Sequence, residues 1–510
     1  VRSYLSGLLT NYLNLLVRML AGVIVVPLLL HSVGKELAGI YFLLMSISNF
    51  VSIGIAWLSH AGTKLLADAA VKSDQLEPRV VHQMVLQGFL GYSLVVALIL
   101  VIGALSGGYL WGTTLTVADL GEARWAVVLV ACFILVTFIN CANVALLNAT
   151  FRQHSANIAA IASQLLFLGS VFFGLRYLPR IDVAMGAQVL GALVPMLGLS
   201  IWLYRRGEIL RPTLRISDRA LFRRLVVSFG GRYFVYGIGE FLLMYLDLFL
   251  IAYLLGPTAV AAYVAVVKLP EFAAMLLGRI SEITIPYLAR IDAAGDLPRL
   301  REGYLTMGRF QNLLGIIAGI TFAFLGQDIV RLWIGNELAP TQSWLYILAG
   351  AALTIRLSYR HDLVLFYAMG RVGQLVVPNL IELGLRCVAV ILLASSYGIG
   401  AALLSYCVVS GGLMIWWYHA RALRTLDLDW RTYGQRVGVP TLAVGFVLLI
   451  CGFLVVNPNL LSIANGASSI SSIAINGVFL LAVALITVLV IEHWQRSSTL
   501  SDLRALVRGA

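Results

Sequence analysis

Residues 232–282 read RYFVYGIGEFLLMYLDLFLIAYLLGPTAVAAYVAVVKLPEFAAMLLGRISE. Two apolar runs flank the turn Gly256-Pro257, each long enough to cross about 30 Å of hydrocarbon as a helix. Inside them sit Arg232, Glu240, Asp247, Lys268, Glu271 and Arg279. A charge at mid-bilayer costs about 2.5–3.5 kcal/mol on insertion scales, so such groups are turned away from lipid. Glu240 and Asp247 are seven apart and share a helical face. Lys268 and Glu271 are three apart, with Arg279 eleven beyond Lys268, and form a second stripe. The pattern predicts two spanning helices whose charged stripes face a polar interior, a path for something charged.

The rest of the chain has the same character. It has 510 residues, of which 60% are hydrophobic and 12% charged, and a mean hydropathy of +0.92. Apolar runs of spanning length recur throughout, so the fold class is an all-α polytopic membrane protein. Barrel strands are short and alternating, which excludes a β-barrel. The formal charge of +12 is explained by basic loops on one membrane face and implies no nucleic acid. Cys132, Cys141, Cys387, Cys407 and Cys451 fall in apolar runs without ligand spacing and read as packing residues, so no metal site is expected. The first apolar run is too long for a cleavable signal peptide.

Fourteen spans are expected, at about 8–30, 37–58, 82–106, 125–148, 156–178, 182–204, 227–252, 258–280, 305–326, 343–368, 374–395, 398–420, 437–457 and 470–492. Loop Lys and Arg collect on one side of that segmentation, above all in 205–226 and at Arg421, Arg424, Arg431 and Arg436. This places both termini in the cytoplasm. Within 205–226, Ser217-Asp218 caps a short run holding Leu221, Phe222 and Leu225 among arginines. It reads either as an elbow lying on anionic membrane lipids or as a plain basic linker.

An internal repeat is visible. Gly34 followed by Tyr41 matches Gly256 followed by Tyr263, and Ala149-Thr-Phe-Arg152 matches Ala368-Met-Gly-Arg371, at offsets of 222 and 219. An even number of spans per half makes the halves parallel. The domains are therefore 1–204, a six-helix bundle; 205–226, the basic linker; 227–420, a second six-helix bundle related by a pseudo-twofold around a central cavity; and 421–510, two further helices and a tail.

Buried charges give the candidate site. Arg18 lies mid-helix with Asn14 one turn before it, and the repeat pairs Arg18 with Glu240. Arg356 and Arg360 are four apart, beside His361 and Asp362. Asn14, Arg18, Arg232, Lys268, Arg356 and Arg360 are candidate substrate-binding residues, because a cation-rich lumen suits an anion and guanidinium forks match phosphate oxygens. Arg232 can equally snorkel to the interface, as can Arg279 and Arg309. Glu240, Asp247 and Glu271 are candidates for a coupling proton or sodium ion, or neutralise neighbouring arginines. Glu382 and Arg386 have the spacing of a structural ion pair. No other cofactor is expected. Prolines at 195, 270, 286, 378 and 440 allow bent helices or mark their ends.

The residues also carry a resemblance. Asn14 and Arg18 followed by Val25-Val-Pro-Leu-Leu-Leu30, Gly34 and Gly39-Ile-Tyr41 resemble the start of bacterial polysaccharide flippases of the Wzx type. Asp247, Gly256, Tyr263, Lys268-Leu and Pro286-Tyr-Leu288 extend the likeness into the second half. That family belongs to the superfamily that also holds multidrug MATE exporters and the lipid II flippase. The resemblance implies a non-enzymatic protein of the bacterial inner membrane that moves an undecaprenyl-diphosphate oligosaccharide outward by alternating access. Export for O-antigen or exopolysaccharide is the implied context, with a polysaccharide polymerase and a chain-length regulator as candidate partners. Lipid II-type flippase and cation-exporting MATE are the alternatives. A polymerase or ligase would need a large external loop, and a major-facilitator transporter a basic-glycine loop signature that Ala61–Pro78 lacks.

Overall fold

The computed structural model describes residues 2–52, 58–59, 62–63, 65–66, 69, 77–105, 117–210, 230–282, 284–456 and 469–494. Of some helical residues, Arg232 and Glu240 among them, only the backbone is described. The proposed elbow at Ser217–Leu225 lies outside the described residues. Among the described residues every regular element is helical.

Among the described residues, eleven helices are long and apolar enough to span a membrane. Three of the fourteen expected spans do not stand as separate members of this set. The stretch Arg2–Val51 is two helices that meet at a kink at Gly34, whose φ of 80° and ψ of 173° are not helical, so the two spans expected there follow one another without a loop between them. The expected span 343–368 is two shorter helices, Ser343–Ser358 and Arg360–Ala368, with Tyr359 between them. The span expected at 227–252 falls on the helix Gly230–Leu255, whose side chains are described without a break over Tyr245–Leu255. Pro286 sits in the first turn of its helix, where a missing N–H costs nothing, while Pro195 and Pro270 are helix-interior and Pro440 lies within continuous helix just after the widened turns Gly434–Gly438.

The chain divides into two compact units, Val1–Ala261 and Ala262–Ala510. In the first, the Val117–Ala149 helix is central. Its residues Ala123, Ala126, Val130, Ile134, Phe138, Ala142 and Ala145 recur at helical spacing and are all buried. The alanines let neighbouring backbones approach closely, which matters where lipid supplies no hydrophobic drive between helices. The Phe89 ring meets Phe138 edge-on at 5.9 Å between centroids. On the neighbouring Pro78–Leu105 helix, Leu98, Ile99 and Ile102 point outward, as lipid-facing residues do.

In the second unit the long Leu297–Ile334 helix takes the corresponding role. Its Leu313, Ile320 and Leu325 form a buried cluster with Val444 and Leu448 of Val439–Val456 and with Leu480 and Ala484 of Ser469–Trp494. The two helices beyond the repeat are thus packed onto its third helix. Ala274 packs with Leu353 and Leu357, joining Pro257–Glu282 to Ser343–Ser358.

The backbone itself repeats. Gly34 and Gly256 have φ of 80° and 84°. Phe151 and Gly370 have φ of 56° and 65°, and Gly207 and Asp427 have 70° and 49°. These three pairs lie 222, 219 and 220 residues apart. Left-handed backbone is costly for residues other than glycine, so its return at matched corners reflects one chain path used twice. Gly39 has a different reason. A β-carbon there would lie 1.8 Å from the carbonyl oxygen of Pro257, so the second glycine turn sits where only hydrogen fits.

Candidate functional site

The candidate cations fall into three situations. In the first unit, Arg18 is exposed on the first helix within an apolar span, with Asn14 half-buried one turn earlier. Asp247 is buried at 8% exposure. Arg232 and Glu240 lie on the Gly230–Leu255 helix, their side chains outside the described residues.

In the second unit, Lys268 pairs with Glu271 at 3.5 Å and lies over the Phe272 ring at 5.2 Å. Lys268 and Glu271, two of the three members of the expected stripe, thus form an ion pair, and both stay about one-third exposed. Arg360 bonds Glu282, which also accepts from Arg279 at 2.7 Å. Glu282 is thus a shared acid whose two oxygens hold two arginines from different helices. Sequence reading missed it because Glu282 sits at a helix end with no depth signal. Arg360 ties Pro257–Glu282 to Arg360–Ala368 and keeps a buried Nε with no acceptor. Arg356 is half-buried and has no carboxylate at ion-pair distance among the described residues. Its electrostatic neighbours are the tyrosines Tyr359 and Tyr406.

Glu382 and Arg386 are both 3% exposed. Glu382 accepts from the Ser410 hydroxyl, and the Arg386 guanidinium lies over the Tyr406 ring at 4.8 Å. Both side chains belong to the interior of the unit.

Two polar chains that sequence reading did not assemble cross the arginine-rich ends of the units. In the first unit, His82 Nε2 is 3.2 Å from Asn143 Oδ1, and Asn143 Nδ2 donates to Ser200 Oγ at 2.8 Å. In the second, Tyr304 donates to Asp362 Oδ1 at 2.6 Å, and His419 Nδ1 lies 2.5 Å from Asp362 Oδ2. The Tyr433 hydroxyl lies 3.2 Å from His361 Nε2 and 3.3 Å from His419 Nε2. All five of these second-unit side chains are buried. A β-carbon on Gly308 would lie 2.8 Å from His361 Nε2, so the ring is seated against that glycine. No spacing rule could have joined them, since they come from four helices.

Among the described residues, His361, Asp362 and His419 are also the group whose donor atoms, all within 4.8 Å of one another, could hold a metal ion. The donor chemistry suits zinc, yet the short His419–Asp362 contact already uses both groups as a hydrogen-bonded pair.

Outside the spans, Arg152 reaches both Glu208 oxygens and lies over the Trp202 ring at 5.5 Å. The clamp joins the Phe151 corner to the Gly207 corner. At the opposite end, Arg180 is held above the ordinary guanidinium range by its hydrogen bond and charge contact with Asp182.

A family model described as polysaccharide biosynthesis protein matches residues 5–292. The chain is 22% identical over 379 residues to the uncharacterized membrane protein EpsK of Bacillus subtilis (strain 168), covering 73% of this chain and 72% of that protein. The fold is similar to that of the lipid II flippase MurJ in its inward closed conformation, at a TM-score of 0.73 and 13% identity, over 96% of this chain and 98% of that one. It is also similar to an inward-facing multidrug resistance MATE family transporter of the MOP superfamily, at a TM-score of 0.63 and 13% identity, over 81% of this chain and 95% of that one.

Proposed function

From the premise that this chain belongs to the polysaccharide biosynthesis protein family, we propose that it is a flippase for undecaprenyl-diphosphate-linked oligosaccharides. The cargo moves from the cytoplasmic to the periplasmic face of a bacterial inner membrane, by alternating access of two parallel six-helix halves and with ion coupling. The observation that carries this reading is the set of basic side chains held at membrane depth without being buried dry. Arg18 is exposed, Arg356 is half-buried without an acid partner among the described residues, and Lys268 and Arg360 keep about one-third of their side-chain surface. At membrane depth such groups cost several kcal/mol unless partner side chains, a wet cavity or an anionic ligand meet them. A diphosphate offers paired oxygens to guanidinium forks and a compact charge to Lys268.

No enzymatic step is proposed, because moving an intact lipid head requires no bond to break. A MATE-like exporter of organic cations fits poorly with basic residues at these positions. The two helices beyond the repeat pack on Leu297–Ile334, and their outward apolar surface suits a path for the polyprenyl tail.

The test is reconstitution. Purified protein in vesicles should move a fluorescent undecaprenyl-diphosphate oligosaccharide between leaflets, read by its accessibility to a membrane-impermeant quencher. Transport of a cationic dye instead, with no movement of the lipid diphosphate, would select the exporter.

A further inference from the structure

The corners of the two units share their backbone hydrogen bonds. In the first unit the Arg152 amide donates to the Leu147 carbonyl, and the Glu208 amide to the Leu203 carbonyl. In the second, the Arg371 amide donates to Phe366 and the Leu428 amide to Leu423 in the same way. Arg371 is therefore the counterpart of Arg152, at an offset of 219, and Leu428 the counterpart of Glu208, at 220. The side chains differ where the backbones agree. Glu208 neutralises its corner, since it accepts from Arg152 and lies 3.6 Å from Arg206. Leu428 can hold no arginine, and Arg371 is exposed.

The offset of 220 also sets Arg421 and Arg424 where the first unit has Ile201 and Tyr204. All four are exposed, so the same outward face carries apolar bulk in one unit and two guanidinium groups in the other. Among the described residues no carboxylate lies at ion-pair distance from Arg371, Arg421, Arg424 or Arg431. The acids beside them are engaged. Asp427 pairs with Arg301 at 2.9 Å, Asp429 accepts from the Thr432 amide at 3.1 Å, and Glu302 holds Arg436.

The surroundings of these arginines narrow the choice of partner. Along the span Gly400–Leu426, Val408 and Leu413 are exposed first, then Trp416, then Arg421 and Arg424. Past the corner, the exposed Trp430 meets Trp416 at 5.5 Å between ring centroids, and the exposed Arg431 follows it. A lipid lying along a helix presents hydrocarbon, interface and headgroup in that order, and tryptophan favours the middle level. A soluble anion would account for the arginines and leave the indoles and aliphatic side chains uncovered.

We propose that this corner of the second unit is a binding site for an anionic phospholipid. Its phosphate is held by Arg421, Arg424 and Arg431, with Arg371 adding positive charge from the neighbouring corner. Trp416 and Trp430 sit at the glycerol level, and an acyl chain runs along Val408 and Leu413. On the orientation expected from loop charge, the lipid belongs to the cytoplasmic leaflet. None of these side chains is among the candidate substrate cations, so the site does not depend on what the protein transports.

The test uses the full chain, purified, stripped of lipid and placed in micelles with phosphatidylglycerol or phosphatidylcholine, with bound lipids counted by native mass spectrometry. Wild type should retain phosphatidylglycerol in preference to phosphatidylcholine. Losing two surface arginines, in Arg421→Gln with Arg424→Gln, should weaken that retention about tenfold or more. Leu428→Glu copies Glu208, offers Arg371 an acid and should also weaken it. Without added lipid both variants should melt as wild type does, because the altered side chains are exposed or half-buried. The linker 205–226 is the same in all three proteins, so the difference reports this corner. Equal retention by wild type and the double variant overturns the proposal, as does equal retention of the two lipids by wild type. Displacement of phosphatidylglycerol by inorganic phosphate, at ionic strength matched with chloride, would overturn it in favour of a soluble anion.

Discussion

Asn143 and Asp362 hold the same position in the two repeats, each at the middle of a buried chain that ties three helices, one as an amide and one as an acid. The pair can be exchanged to measure what the charge does. Asp362→Asn should fold, because the amide can accept from Tyr304 and donate to a His419 tautomer carrying its hydrogen on Nε2. Asn143→Asp should be worse. It places a carboxylate where Ser200 is its new donor in place of an acceptor, with His82 the one imidazole nearby. The expected loss is about 3 kcal/mol or more, read as a fall in thermal unfolding temperature in detergent for Asn143→Asp and a small change for Asp362→Asn.

Phe151 and Gly370 test the repeated corner. Phe151 is exposed and carries left-handed backbone that costs a non-glycine residue roughly 1–2 kcal/mol. Phe151→Gly should relieve that strain, offset by about 0.5–1 kcal/mol of unfolded-chain entropy, and leave stability equal or slightly higher. Gly370→Ala should lower it by roughly 1–2 kcal/mol. Melting curves in which both substitutions act in the same direction would mean that the corners are not equivalent.

Gly39 admits no side chain against Pro257. Gly39→Val should overpack this contact at a cost of at least about 1–3 kcal/mol. Membrane yield and monodispersity should fall, while Gly121→Ala, where a β-carbon meets nothing within 4 Å, should express as wild type.

The Arg152–Glu208 clamp is partly exposed, so its worth is modest. Arg152→Ala should cost about 1 kcal/mol at most and lose its effect in high salt. It should leave lipid flipping in vesicles near the wild-type rate, because the clamp lies outside the spans and touches none of the candidate substrate cations.

Much of the architecture was legible in the sequence because its signals are local. Apolar run length marks spans, and the matched Gly34/Gly256 and Ala149/Ala368 segments mark a repeat whose corners share backbone conformation. Lys268 with Glu271 was readable from helical spacing. The turn at Gly34 between the first two spans was readable too, because Lys35 and Glu36 interrupt the apolar run beside it. The break at Tyr359 was not, because no proline or glycine stands there. Glu282 and the Tyr304–Asp362–His419–Tyr433 set were hidden for another reason. Their partners are 57 to 78 residues away or on other helices, and long-range contact leaves no periodic trace.

The central claim is that unburied cations at membrane depth hold an anionic lipid head. The most direct measurement is the initial rate of lipid-diphosphate flipping in vesicles for Arg18→Ala, Arg356→Ala and their Arg→Lys counterparts, at equal protein incorporation. The account predicts that the alanine variants lose flipping and that lysine restores it only in part, because an ammonium cannot reproduce a guanidinium fork. Wild-type rates from the alanine variants would contradict it.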